Sequence, residues 1–257
     1  MENIVRFGMM KALPRKYDLE YNMALFERMA KKASDNDVNI LLTCECFLDG
    51  YCVYPVEDFD KKRFANEITQ SRDGKIISRV REIAKDYRMH IVFGYSENSS
   101  GKFRNAAIFI DDEGREIGSY YKVITLDHDS VYTPGDDFPV FTTRYGKFGI
   151  LICADRRWPE HARILKLKGA QALLMPTYGM YHQKNQEWMQ TRAYENEMWL
   201  MFNHARQVFI YNPNGDLEAK YESNVDDLLI HDVYLNLTCT ENKLDNRKPG
   251  LYSELCK

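Results

Sequence analysis

Apolar positions recur along this chain with two periods. Over residues 19–34, 68–87, 160–168 and 184–196 they fall at the spacing of one helix face. Residues 4–10, 38–43, 90–95, 106–110, 116–121, 148–152, 172–175, 198–203 and 228–233 are short aliphatic and aromatic runs that read as strands. The run 38–43 has the uniformly apolar character of a strand covered on both faces, so the chain opens β-α-β. Asp111-Asp112-Glu113-Gly114 marks a turn between two hairpin-like strands, and Pro159 stands where a helix can begin, with Gly169 at its end. No repeat, low-complexity tract or Pro/Gly/Ser-rich linker breaks the alternation. The pattern predicts one α/β domain over residues 1–257, with helix layers over sheets.

Composition narrows the function classes. A chain of 257 residues that is 44% apolar and 13% aromatic has ample material for a packed core. Thirty-five Lys and Arg against 38 Asp and Glu leave a net charge of −3 with no basic stripe, so no nucleic-acid partner is expected. The longest nearly uninterrupted apolar stretch, residues 148–154, is far below the roughly 18 residues needed to cross a bilayer, and the N-terminus lacks a signal-peptide core. A soluble, cytoplasmic protein with no membrane partner is expected. Its cysteines, at 44, 46, 52, 153, 239 and 256, are then expected to be free thiols.

Three polar residues stand where an apolar strand runs out: Glu45 after 40–43, Lys122 after 117–121, and Cys153 after 150–152. Strand ends of layered α/β folds are where sites are built. A cysteine nucleophile needs a group to take its proton, a partner for the oxyanion formed on the carbonyl it attacks, and a turn that presents its sulfur. A glutamate, a lysine and a strand-to-helix elbow supply these. A free thiol titrates at about 8.5, and a lysine cation or helix N-terminus lowers that value, while burial among aliphatic residues raises the proton affinity of a glutamate base. Each residue alone also fits an ordinary structural role. Cys44, Cys46 and Cys52 bracket Glu45, but no well-spaced second pair follows to complete a tetrahedral metal site, so no metal is expected.

The flanking residues add a resemblance. Gly149-Ile150-Leu151-Ile152-Cys153-Ala154-Asp155-Arg156-Arg157-Trp158-Pro159-Glu160 resembles the nucleophile motif of the carbon-nitrogen hydrolase (nitrilase) superfamily, in the version closest to N-carbamoyl-D-amino-acid hydrolases. Further marks follow the same order: Glu45 ahead of Phe47-Leu48-Asp49-Gly50-Tyr51, Tyr121-Lys122 ahead of Tyr132-Thr133-Pro134-Gly135-Asp136, then Arg192-Ala193-Tyr194-Glu195-Asn196 and the closing Arg247-Lys248-Pro249-Gly250-Leu251-Tyr252. The resemblance spans essentially the whole chain. It implies a four-layer α-β-β-α sandwich and a Glu45-Lys122-Cys153 triad that hydrolyses a small linear amide or N-carbamoyl compound through a thioester, without metal or organic cofactor. It also implies a homodimer or higher homo-oligomer.

Two departures bear on specificity. The family's second glutamate is absent from Leu126-Asp127-His128-Asp129-Ser130-Val131, and Asp129 is its expected substitute. After Asn203, the chain lacks the longer glycine-containing hairpin usual in relatives, which would widen the pocket entrance or leave that role to a partner subunit. Arg156 and Arg157 match a pair associated with a substrate carboxylate, which a guanidinium fork suits, and Tyr178 matches a position lining the acyl pocket. Two other activities remain open at this stage. A nitrilase would begin with the same thiolate attack, and a non-catalytic binding protein could retain the fold.

Overall fold

The computed structural model describes residues 4–237, 239 and 241–256. In chain order its strands are β1 (Ile4–Lys11), β2 (Ile40–Leu42), β3 (His90–Ser99), β4 (Lys102–Ile110), β5 (Glu116–Tyr121), β6 (Val140–Thr142), β7 (Lys147–Ile150), β8 (Ala172–Thr177), β9 (Trp199–His204), β10 (Gln207–Tyr211), β11 (Leu217–Glu222) and β12 (Asp227–Tyr234). Its α-helices are α1 (Leu19–Ser34), the single turn α2 (Lys61–Arg63), α3 (Lys75–Asp86), α4 (Pro159–Leu167) and α5 (Lys184–Asn196). The strands form two six-stranded mixed sheets, ordered β12-β1-β2-β3-β4-β5 and β11-β10-β9-β8-β7-β6. In each, a parallel trio is flanked by antiparallel neighbours.

Strand pleating explains the layers. Side chains alternate across a strand, so Val5, Phe7 and Met9 of β1, Ile40 and Leu42 of β2, and Ala107 and Phe109 of β4 face the other sheet. Phe148 of β7 meets Phe7 and Phe109 edge-on, at 6.1 and 6.0 Å between ring centres. The alternate residues Leu41, Ile91, Phe93 and Ile108 face outward onto α1 and α3, which bury Leu25, Phe26 and Met29, and Ile77, Val80 and Ile83. Ala162 and Leu165 of α4 and Met189 and Ala193 of α5 join the second sheet's core. The stack is therefore α-β-β-α, as expected.

Element boundaries differ in places. The helical periodicity over 68–87 yields a helix only from Lys75, because Gln70 is held in an extended bridge to β3. Its N–H bonds Ser96 O at 2.9 Å, and Asn98 N–H bonds its carbonyl at 2.9 Å. The short β6 and the charged edge strand β11 carry too little apolar alternation to be predicted as strands. No described helix is long and apolar enough to cross a membrane. Cys44, Cys46, Cys52, Cys153 and Cys239 are free thiols.

Candidate active site

Glu45 lies just beyond β2, in a segment bound tightly to β3. Thr43 N–H bonds Val92 O, Gly94 N–H bonds the Thr43 hydroxyl, and Leu48 N–H bonds Gly94 O. A Cβ at position 94 would stand 2.2 Å from Cys44 O, so only glycine allows this approach. The Glu45 carboxylate is fully buried and receives three donors. Lys122 Nζ and Asn105 Nδ2 reach Oε1 at 2.9 and 2.8 Å, and the Tyr178 N–H reaches Oε2 at 3.0 Å.

Lys122 follows β5 directly, and its own N–H bonds the Asn105 carbonyl at 3.0 Å. Asn105 thus registers both members of the pair, through its backbone to Lys122 and its side chain to Glu45. The ammonium, 2% exposed, is shared with a second carboxylate, Asp129 Oδ2, at 2.5 Å. Burial pulls the Lys122 pKa down, but Glu45, Cys153 and Asp129 outweigh that and raise it, so the group stays charged. Asp129 Oδ1 accepts from the Tyr51 hydroxyl at 2.7 Å, and His128 Nε2 lies 3.0 Å from the same hydroxyl. Burial, then Glu45 and Asp129, push the Tyr51 phenol well up, which keeps it a donor.

Cys153 opens a 3-10 turn over Cys153–Arg157 after β7, with φ +45°, a conformation L-residues rarely hold. Asp155 anchors this elbow: Oδ2 accepts from Ile152 N–H at 3.0 Å and the Tyr120 hydroxyl at 2.8 Å, and Oδ1 accepts from Ile124 N–H at 2.9 Å. One carboxylate so ties the cysteine turn to the segment just beyond Lys122. Burial pushes Asp155 up to about 6, against the pull of those donors. Burial and the Glu45 carboxylate also push the Cys153 thiol up, with Arg156 and Lys122 pulling it back.

Lys122, Cys153, Arg156 and Arg157 line one cavity of about 300 Å³, together with Tyr51, Tyr54, Leu126, His128, Ala154, Gly179 and Met180. The two arginines separate. Arg156 is 1% exposed, with Nη1 3.2 Å from Cys153 Sγ and Nε 3.2 Å from Asn185 Oδ1, whereas Arg157 is exposed and its guanidinium has no hydrogen bond or ion pair among the described residues. Tyr178 reaches the site through its backbone; its ring packs 5.3 Å from that of Tyr51 and lines a neighbouring cleft of about 140 Å³. That cleft opens beside the two-residue Ala205-Arg206 turn joining β9 to β10, where the longer hairpin is missing, and shares Tyr54, Gly179 and Met180 with the main cavity. Cys44, Cys46 and Cys52 form no metal-binding cluster; none exists among the described residues.

Sequence reasoning did not find Asn105, Tyr51 as a partner of Asp129, or the anchoring role of Asp155. An asparagine leading an apolar strand, Asn105-Ala106-Ala107-Ile108, was the available signal for the first.

Known proteins resemble this chain in sequence and in fold. A hydrolase encoded in the pqqF 5′ region of Pseudomonas protegens is 29% identical over 274 aligned positions, covering 98% of this chain and 92% of that protein. The N-carbamoylputrescine amidase of Arabidopsis thaliana is 34% identical over 170 positions, covering 62% of this chain and 54% of the plant enzyme. An amidase from Nesterenkonia sp. shares the fold with a TM-score of 0.83 at 22% identity, over 98% of this chain and 96% of that one. The family model for carbon-nitrogen hydrolases matches residues 7–240, so this chain belongs to the carbon-nitrogen hydrolase family.

Proposed function

We propose that this hydrolase cleaves the C–N bond of a small linear amide or N-carbamoyl compound through a thioester on Cys153. The observation that carries the reading is the buried convergence of Glu45 and Lys122, 2.9 Å apart, on a cavity whose floor holds Cys153. Glu45 takes the thiol proton as sulfur attacks the carbonyl carbon; the new S–C bond forms as the C=O π pair moves onto oxygen. Lys122 and a backbone N–H near Cys153 hold that oxyanion. Collapse breaks the C–N bond, and the proton on Glu45 leaves with the amine or ammonia. Water, deprotonated by Glu45, then attacks the thioester, breaking C–S and releasing the acid and the free cysteine. Asp129 stands in for the family's second glutamate by positioning Lys122.

The cavity wall also speaks to substrate charge. Its lining includes Arg156 and Arg157, neither paired with a carboxylate among the described residues, and no Asp or Glu, which favours a substrate bearing a carboxylate over one bearing an amine. Arg157, exposed and unpaired at the mouth, is the group suited to that anion. The proposed setting is a cytoplasmic homodimer or larger homo-oligomer; Leu251 and Leu255, exposed in the closing segment, are suited to a partner surface. Sedimentation at the monomer mass would rule that out.

The test is ammonia release from neutral amides, ω-amido acids, N-carbamoyl amino acids and nitriles, with quenched samples weighed by mass spectrometry. Turnover of amides or carbamoyl compounds with an acyl adduct on Cys153 is expected. Activity on nitriles alone, or turnover surviving in Cys153→Ala, would overturn the reading.

A further inference from the structure

The cation hydrogen-bonded to the nucleophile is Arg156, not the triad lysine. Lys122 holds two carboxylates, Glu45 at 2.9 Å and Asp129 at 2.5 Å, so the three groups together carry an excess negative charge. A sulfur ionising beside them meets an ammonium already shared between two carboxylates. Arg156 differs. Its guanidinium is 1% exposed and forms no ion pair with a carboxylate among the described residues. A buried cation without a counter-ion is costly, and buried charges are ordinarily paired.

The guanidinium is also held in place rather than left to swing toward solvent. Asn185 Oδ1 accepts from its Nε at 3.2 Å, and Asn185 is fixed in turn by donating to Met180 O at 2.7 Å. The rings of Trp188 and Phe202 lie 5.7 and 5.9 Å from its central carbon. So positioned, Nη1 donates to Cys153 Sγ at 3.2 Å, with the cysteine three residues earlier on the same turn. The groups facing this pair are Glu45, Lys122 and Tyr51 across the floor, His128 and Arg157 on the cavity wall, and His204 from β9. Burial holds His204 down at about 4, leaving it neutral at working pH.

We infer that Arg156 is a catalytic residue, the counter-ion of the Cys153 thiolate, rather than a receptor for substrate. This rests on Cys153 being the nucleophile. The thiol proton passes to the Glu45 carboxylate, the sulfur becomes anionic, and Arg156 stays protonated throughout, so the transfer leaves a thiolate-guanidinium pair beside a neutral Glu45. Lys122 is thereby left to serve the oxyanion.

The experiment is the pH dependence of Cys153 alkylation by iodoacetamide, read by mass spectrometry and needing no substrate. Arg156→Gln should move the inflection up by about 1–2 pH units and slow alkylation at neutral pH by ~10–100-fold. Arg156→Lys should restore part of it. Should the glutamine variant fold poorly, Asn185→Asp gives the guanidinium a carboxylate of its own and should raise the inflection in the same direction. Turnover supplies a second readout: Arg156→Gln should lower kcat/KM for propionamide and for succinamate by the same factor. An inflection unmoved in both variants, or a loss confined to the carboxylate-bearing amide, would overturn the inference. Turnover persisting in Cys153→Ala would instead sink the underlying nucleophile assignment.

Discussion

Arg156 and Arg157 are adjacent in the chain and belong to different regions of the site. The first lies in the floor, where Glu45, Lys122 and Asp129 are buried and bonded through the lysine, and Asp155 is buried on the backbone donors of Ile152 and Ile124. The second stands at the mouth with Tyr54 and His128, exposed and unpaired. In the floor every charge has its geometry set before substrate arrives, which suits groups acting on the reacting atoms. At the mouth a side chain keeps its freedom until a ligand orders it. The difference teaches that floor substitutions should act on turnover irrespective of substrate, and mouth substitutions on which substrate is chosen.

The largest effect should come from Cys153→Ala, with kcat lowered by about 10⁴-fold or more and the melting temperature little changed. Residual turnover within tenfold of the parent would remove the chemical distinction between the regions. Next is Asp129. Asp129→Asn leaves Lys122 with one carboxylate and should lower kcat by ~10²-fold for neutral and anionic amides alike, a displacement effect on the lysine. An effect seen mainly in KM would move Asp129 from floor to mouth.

Asp155→Asn should act on stability. It replaces an acceptor of two backbone N–H groups with a partial donor and should cost about 1–3 kcal/mol in chemical denaturation. Its pH dependence has a defined sign. The Asp155 carboxyl is raised by burial to about 6, so the fold holds its proton more tightly than the unfolded chain does. The stability this contributes is full below the ordinary carboxylate range and is lost as pH rises through 6. The gap between parent and variant should therefore widen on acidification from pH 7 toward 4; Asp49, also raised to about 6 by burial, is common to both proteins and cancels. A gap that narrows in acid would contradict the assignment. The smallest effect belongs to Arg157→Gln, which should lower kcat/KM for succinamate by about tenfold and leave propionamide unchanged. Equal losses on both would show that the mouth arginine does not read substrate charge.

Much of this was legible locally. The spans of α1, β5 and α5 follow from periodicity because a helix or strand that buries one face must repeat its apolar residues at the element's own period. Glu45, Lys122 and Cys153 were conspicuous as polar residues ending apolar runs, a property visible without neighbours. The extra charge at Asp129 could be suspected from the missing glutamate. Asn105 and Asp155 could not be assigned, since their partners, Glu45 at a separation of 60 residues and Ile124 at 31, lie in other segments.

The alternation of most strands and helices, the layered class and the residues able to do thiol chemistry were determined by the chain's own pattern, because periodicity and side-chain chemistry are local quantities. Which carboxylates share the lysine, which cation faces sulfur and which faces water were decided only by tertiary structure. Burial and charge pairing depend on atoms brought together from both sheets, and two consecutive arginines can differ in every such respect while reading identically in the sequence.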